Sequence, residues 1–133
     1  MREEFKNWKR PVIKNGELTR WNWIVYHSEK LDLGDYTDIG AFTYINAKHG
    51  IKIGDHVQIG SHCSLYTVST IDEKIGPIVI GENAKIGSHS LIMPGITIGA
   101  NATIGAYSFV NKDVPPNSVA WGIPVEIKKN HED

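Results

Sequence analysis

Residues 80–111 read IGENAKIGSHSLIMPGITIGANATIGAYSFVN, and within them Ile80, Ile86, Ile92, Ile98, Ile104 and Val110 recur at strict intervals of six. Working outward, the same interval links Leu33, Ile39 and Ile45, and then Ile53, Ile59 and Leu65. An amphipathic helix needs apolar residues three and four apart, and a half-buried strand needs alternation, so neither template yields a six. The fifth slot of most hexads is small or modest: Thr37, Thr43, Val57, Cys63, Ser69, Ala84, Ser90, Ala102, Ser108. One large and one small inward position per hexad describe a short strand followed by a tight corner.

The second slot sets the number of sides. It reads Gly34, Gly40, Asn46; Gly54, Gly60, Tyr66; Gly81, Gly87, Met93; Gly99, Gly105, Asn111. Glycine fills two hexads and is missing from the third, so one turn of the coil has three faces. Two insertions, Ile51–Lys52 and residues 71–79, each fall at the end of a trio and hence at one corner. The expected architecture is all-β: a single domain over 1–133, with an N-terminal cap (1–31), a three-sided solenoid of about four coils (32–114) and a short C-terminal tail (115–133). Trp8, Trp21 and Trp23 are the apolar material of the cap.

Composition narrows the function classes. The 133 residues carry 14 Lys+Arg against 15 Asp+Glu, a formal net charge of −1, which makes no electrostatic case for nucleic acid or an anionic membrane. No apolar run reaches the roughly 18 residues of a membrane span. The opening MREEFKNWKRP has no apolar signal-peptide core, and the lone Cys63 forbids an internal disulfide, so a cytoplasmic location is expected.

The repeats LGDYTDIG, IGDHVQIG, IGENAKIG and IGANATIG, followed by VNKDVPPNSVAWGIPVEIKK, resemble the hexapeptide-repeat acyltransferases over about residues 32–129. The stretch TYINAKHGIKIGDHVQIGSHCSLYTVST is similar to their sugar and aminosugar acetyltransferase branch. The resemblance implies a left-handed parallel β-helix assembled as a homotrimer. The hand comes from the resemblance alone, since the usual rule for parallel crossovers gives the opposite one. It also implies acetyl-CoA, or another acyl-CoA, as co-substrate, a sugar or nucleotide-sugar acceptor, and no metal.

Residue roles follow from the same likeness. Pantetheine contacts fall at Ser88 and Ala106, while Lys112, Pro124, Lys128 and Lys129 match the tail pattern whose lysines meet CoA phosphates. Asn46 matches the family asparagine beside the acceptor, where its amide orients the acceptor or donates to the oxyanion. The family's loop histidine aligns near Thr70, and residues 71–79 contain no histidine.

Other imidazoles are therefore candidates for the base. His49 fills a fifth slot meant for a small residue, beside the 71–79 insertion, and reads either as a base or as a structural corner residue. His62 and His89 occupy fourth slots on consecutive coils between Phe42 and Tyr107; they read as a packing ladder or as site residues completed by a neighbouring subunit. Tyr66 and Met93 shape the pocket, Cys63 is a buried structural thiol, and His27, His56 and His131 are solvated.

The leading functional expectation is acyl transfer to the amine of a nucleotide-linked amino sugar for surface polysaccharide, because an amine needs a base least. A sugar or antibiotic hydroxyl is the alternative acceptor. Two further classes stay open: a metalloenzyme like the γ-type carbonic anhydrases, for which His56 and His62 are spaced six rather than five apart, and a non-catalytic trimeric scaffold.

Overall fold

The computed structural model describes residues 6–130. The chain enters through β1 (Ile24–Tyr26) and a single 3-10 turn at Ser28–Lys30. It continues through β2 (Leu31–Leu33), β3 (Asp38–Ile39), β4 (Tyr44–Asn46), β5 (Ile51–Ile53), β6 (Gln58–Ile59) and β7 (Ser64–Tyr66). A side hairpin, β8 (Val68–Ser69) and β9 (Lys74–Ile75), interrupts the coil. The coil resumes with β10 (Ile78–Ile80), β11 (Lys85–Ile86), β12 (Leu91–Ile92), β13 (Thr97–Ile98), β14 (Thr103–Ile104) and β15 (Phe109–Val110). The described residues finish with β16 (Ser118–Trp121) and β17 (Glu126–Asn130).

These strands stack into three parallel walls. The first face runs β2-β5-β10-β13, the second β3-β6-β11-β14-β16 with β17 added antiparallel at its end, and the third β1-β4-β7-β12-β15. Register agrees with the six-residue period: Ile39 pairs Ile59, Ile86 pairs Ile104, and Ile45 pairs Leu65. The inward columns are dry. Ile45, Leu65, Ile92, Ile98 and Ile104 are essentially inaccessible, and burial of each such side chain contributes roughly 1.5–3 kcal/mol.

Three features differ from the sequence expectation. The third face has five strands and not four, because β1, inside the supposed cap, pairs with β4, and the second likewise gains a fifth parallel strand, β16, from the supposed tail. Ile51 and Lys52 are not an insertion: Ile51 pairs with Leu31 and Ile78 in the first wall and is buried, so the extra chain is taken up by the turn at 47–50. Likewise Ile78 and Val79 belong to β10, so the long excursion is the hairpin and its flanks, and buried Thr67, not Ser69, fills the small inward position.

The N-terminal end is closed by Trp23, which is buried, and by Trp8, whose Nε1 donates to the Thr37 carbonyl at 2.7 Å. Between them and Trp21, Arg20 and Asp38 lies an open cavity of about 530 Å³. Among the described residues no helix is long and apolar enough to cross a membrane.

Candidate active site

Two corners of the prism carry the candidate residues. The second corner, between the second and third faces, is built on the glycine column Gly40, Gly60, Gly87, Gly105. A Cβ on Gly60 would lie 2.5 Å from the Ser88 nitrogen and 2.8 Å from its Cα, so only glycine lets successive coils approach this closely. Two residues after each glycine the chain turns through positive φ: Phe42 64°, His62 59°, His89 62°, Tyr107 60°. That left-handed residue makes the corner and throws its side chain outward.

The outward rings form one continuous stack. Phe42 and His62 are 5.4 Å apart between centroids, His62 and His89 4.7 Å, and His89 and Tyr107 4.8 Å, the last two pairs within 6° of parallel. The expected ladder is therefore present, with both imidazoles exposed. His56 stacks on Tyr36 at the first corner, so His56 and His62 do not converge within one chain.

Ser88 and Ala106 sit directly after Gly87 and Gly105 on this same corner. The Ser61 carbonyl accepts from His89 N–H and the Ser88 carbonyl from Tyr107 N–H, each at 3.0 Å. Among the described residues no backbone carbonyl accepts the N–H of Ser88 or Ala106. Successive coils thus present a file of donors about 4.8 Å apart, parallel to the axis.

The third corner is chemically different. Asn46 ends β4, paired in register with Tyr26 and Tyr66. Its Oδ1 accepts from Lys48 N–H at 3.1 Å, which closes the turn and leaves the amide NH2 as the donor half of the side chain. Gly50, at φ 95°, completes that turn. His49 is exposed on it; the inward position goes to Ala47, and the chain does not bulge around an imidazole. The His49 N–H donates to Thr67 Oγ1 at 3.0 Å, tying the turn to the root of the hairpin whose tip carries Thr70 and Ile71. Met93 is buried and Tyr66 half-buried.

Sequence reasoning thus named two groups that one chain keeps apart. Ser88, Ala106, His62 and His89 share the second corner, while Asn46 and His49 share the third, across a wall three residues wide, roughly 10 Å. The tail lysines separate too. Lys128 and Lys129 lie on β17 near the second corner, but exposed Lys112 follows β15 at the third corner, beside Asp113, whose Oδ1 accepts from Thr97 N–H. Pro124 is exposed on the turn between β16 and β17. His131 lies outside the described residues.

Cys63 is buried in the second-corner interior, its Sγ donating to the Gly87 carbonyl at 3.3 Å, and burial pushes its thiol pKa up. Among the described residues no three His, Cys, Asp or Glu side chains gather as a metal-binding group.

Two aromatic features escaped the sequence reading. Tyr26, Tyr44 and Tyr66 line the outer third face around Asn46, with centroids 5.7 and 5.5 Å apart. Trp121 stands directly above Gly105. Counting hexads misses it, because Val119 pairs Thr103 at a spacing of sixteen, where Thr103 pairs Lys85 at eighteen.

Comparison with known proteins gives a consistent result. Residues 77–112 match the family model for bacterial transferase hexapeptide (six repeats). A hexapeptide-repeat containing acetyltransferase from Vibrio cholerae superposes with a TM-score of 0.78 at 32% identity, covering 84% of this chain and 68% of that one. The same Vibrio protein has been solved complexed with acetyl coenzyme A. A maltose O-acetyltransferase from Clostridium difficile 630 has a TM-score of 0.77 at 32% identity, over 84% of this chain and 65% of its own. The galactoside O-acetyltransferase of Escherichia coli (strain K12) is 44% identical over 57 residues, 43% of this chain but only 28% of the curated relative's length.

Proposed function

The chain belongs to the hexapeptide-repeat acetyltransferases and is a left-handed parallel β-helix, and on that premise we propose that it transfers an acetyl or similar acyl group from an acyl-CoA to the amine of a nucleotide-linked amino sugar. The observation that carries the reading is the file of N–H donors at Ser88 and Ala106. An extended, amide-bearing pantetheine arm matches such a file, and the Vibrio relative is known with acetyl coenzyme A.

The two corners act on one substrate pair only if separate chains meet, so the enzyme is proposed to be a homotrimer. One chain's second corner then faces the next chain's third corner. In that cleft the pantetheine arm lies along Ser88 and Ala106 of one chain with its thioester towards the other, and the acceptor lies on Asn46 and the tyrosines of that other chain. The Asn46 NH2 supplies a donor to the charge that develops on the carbonyl oxygen. Lys128 and Lys129 meet phosphates at the nucleotide end of the donor. A cytoplasmic location, where acyl-CoA is made, completes the reading.

The amine is favoured because no hydrogen bond or ring contact among the described residues orients the exposed His49 imidazole. A general base acting on a hydroxyl needs a third group to aim it. An amine that is neutral at working pH needs no such help. The second reading, transfer to a sugar hydroxyl with His49 as base, is favoured by likeness to the maltose and galactoside O-acetyltransferases.

Initial rates of CoA release from acetyl-CoA, measured over matched panels of nucleotide amino sugars and neutral sugars, separate the two. Turnover confined to amino sugars supports the first reading. Turnover on neutral sugars alone establishes the second. Release of CoA with neither panel overturns both as stated.

A further inference from the structure

The structure also points to a residue that reads the far end of the donor. We propose that Trp121 is the stacking platform for the purine of the acyl-CoA, so that the enzyme distinguishes a nucleotide-bearing thioester from a bare pantetheine one. The inference rests on the second corner being the donor site.

Four observations converge. First, Trp121 ends the glycine column. With Ala120 paired to Ile104, a Cβ on Gly105 would lie 2.8 Å from the Trp121 Cβ. At Gly60 and Gly87 the next parallel coil fills the space where a side chain would go. At Gly105 the Trp121 side chain stands in that place, and among the described residues the wall continues past β16 only with the antiparallel β17.

Second, its place suits the length of the ligand. The platform lies one rung above Ala106 and two above Ser88, roughly 5 and 10 Å along the axis. A pantetheine arm bonded at those two residues therefore delivers its nucleotide to Trp121 and not to the middle of the prism.

Third, the indole is exposed and yet rigidly mounted. Trp121 is 47% accessible, while its neighbour Ala120 is completely buried. Gly122 on its other side donates to Ser108 Oγ at 3.2 Å and accepts from Phe109 N–H at 2.9 Å. Only two side-chain torsions remain to be ordered when a base stacks.

Fourth, positive charge is held at the ring. Lys128 Nζ lies over the indole, 5.4 Å from its centroid, and 3.3 Å from Glu126 Oε2. An exposed aromatic ring that holds a lysine ammonium is the chemistry that recognises a phosphorylated purine nucleoside, the base stacking on the ring and the cation meeting phosphate.

The test is calorimetric titration of the full chain with CoA and, separately, with pantetheine, for the native protein, Trp121→Ala and Trp121→Phe. Alanine is expected to weaken CoA by at least about tenfold and to leave pantetheine unchanged, as base–aromatic stacking requires. Phenylalanine, which keeps a ring, is expected to hold CoA within about threefold of native. If Trp121→Ala binds CoA as the native protein does, or loses CoA and pantetheine equally, the platform is overturned while the donor site stands. If the native chain binds neither ligand, the donor reading itself fails and takes the platform with it.

Discussion

His62 and His89 stand one coil apart at the same corner, with ring centroids 4.7 Å apart and planes 6° from parallel. Both have left-handed backbone, at φ 59° and 62°, and both lead directly into a buried small residue, Cys63 or Ser90. Their geometry is that of a ladder whose rings support one another. His89→Ala should therefore leave kcat within about threefold and cost about 1 kcal/mol in urea unfolding, the worth of its ring contacts. His89→Val should cost about 1–2 kcal/mol more, because a β-branched residue resists positive φ.

Glycine substitutions separate close approach from backbone strain. Gly60→Ala should be severely destabilising, on the order of 3 kcal/mol or more, since the intruding Cβ meets backbone that cannot yield. Gly50→Ala meets nothing within 4 Å and carries only the strain of φ 95°, so about 1 kcal/mol is expected. Chemical denaturation of the two variants side by side gives the comparison.

Asn46 has two separable duties. Its Oδ1 caps the turn at Lys48, and its NH2 is the group proposed to face the reacting carbonyl. Asn46→Asp keeps the acceptor and removes the donor, so it should fold normally and lose about 100-fold or more in kcat. Asn46→Ala should lose the activity and also about 1 kcal/mol of stability. Equal activity of the Asn46→Asp variant and the native protein would remove the donor role.

His49 decides between acceptors. With a hydroxyl acceptor, His49→Ala should lower kcat about 100-fold or more and abolish the acidic limb of the pH–rate profile. With an amine acceptor the change should stay within a few-fold, and the limb should remain, set by the acceptor's own amine.

Cys63 predicts inertness and an alkaline weakness. Burial raises its pKa in the folded chain, so the native thiol should react with a thiol reagent only as fast as the protein unfolds. The sign for stability follows by linkage. The unfolded thiol ionises first, so the contribution of this group is intact below the ordinary thiol pKa and declines as pH rises towards the folded value. Cys63→Ala should flatten that decline.

How much of this was legible depended on whether the residues had to repeat. Each inward isoleucine occupies the same environment on every coil, so the period of six and the three faces could be read from spacing alone. The entry coil could not: Ile24–Tyr26 has no partner hexad, and the 3-10 turn at Ser28–Lys30 breaks the count. The third corner could not either, because Ala47 and not His49 turns inward, a choice made by the Asn46–Lys48 and His49–Thr67 hydrogen bonds. Coil handedness was likewise silent in the spacing. Trp121 was hidden because the last step, which contains Pro115 and Pro116, joins Thr103 to Val119 over sixteen residues, where the step before it joins Lys85 to Thr103 over eighteen.

The measurement that bears most directly on the account is a crystal structure of the full chain grown with CoA. The predicted result is a trimer in which the pantetheine arm runs along the second corner, accepting hydrogen bonds from the N–H groups of Ser88 and Ala106, with its thiol towards Asn46 of a neighbouring subunit. CoA bound at the first corner or in the N-terminal cavity, or a chain that remains a monomer with the second corner bare at saturating CoA, would contradict it.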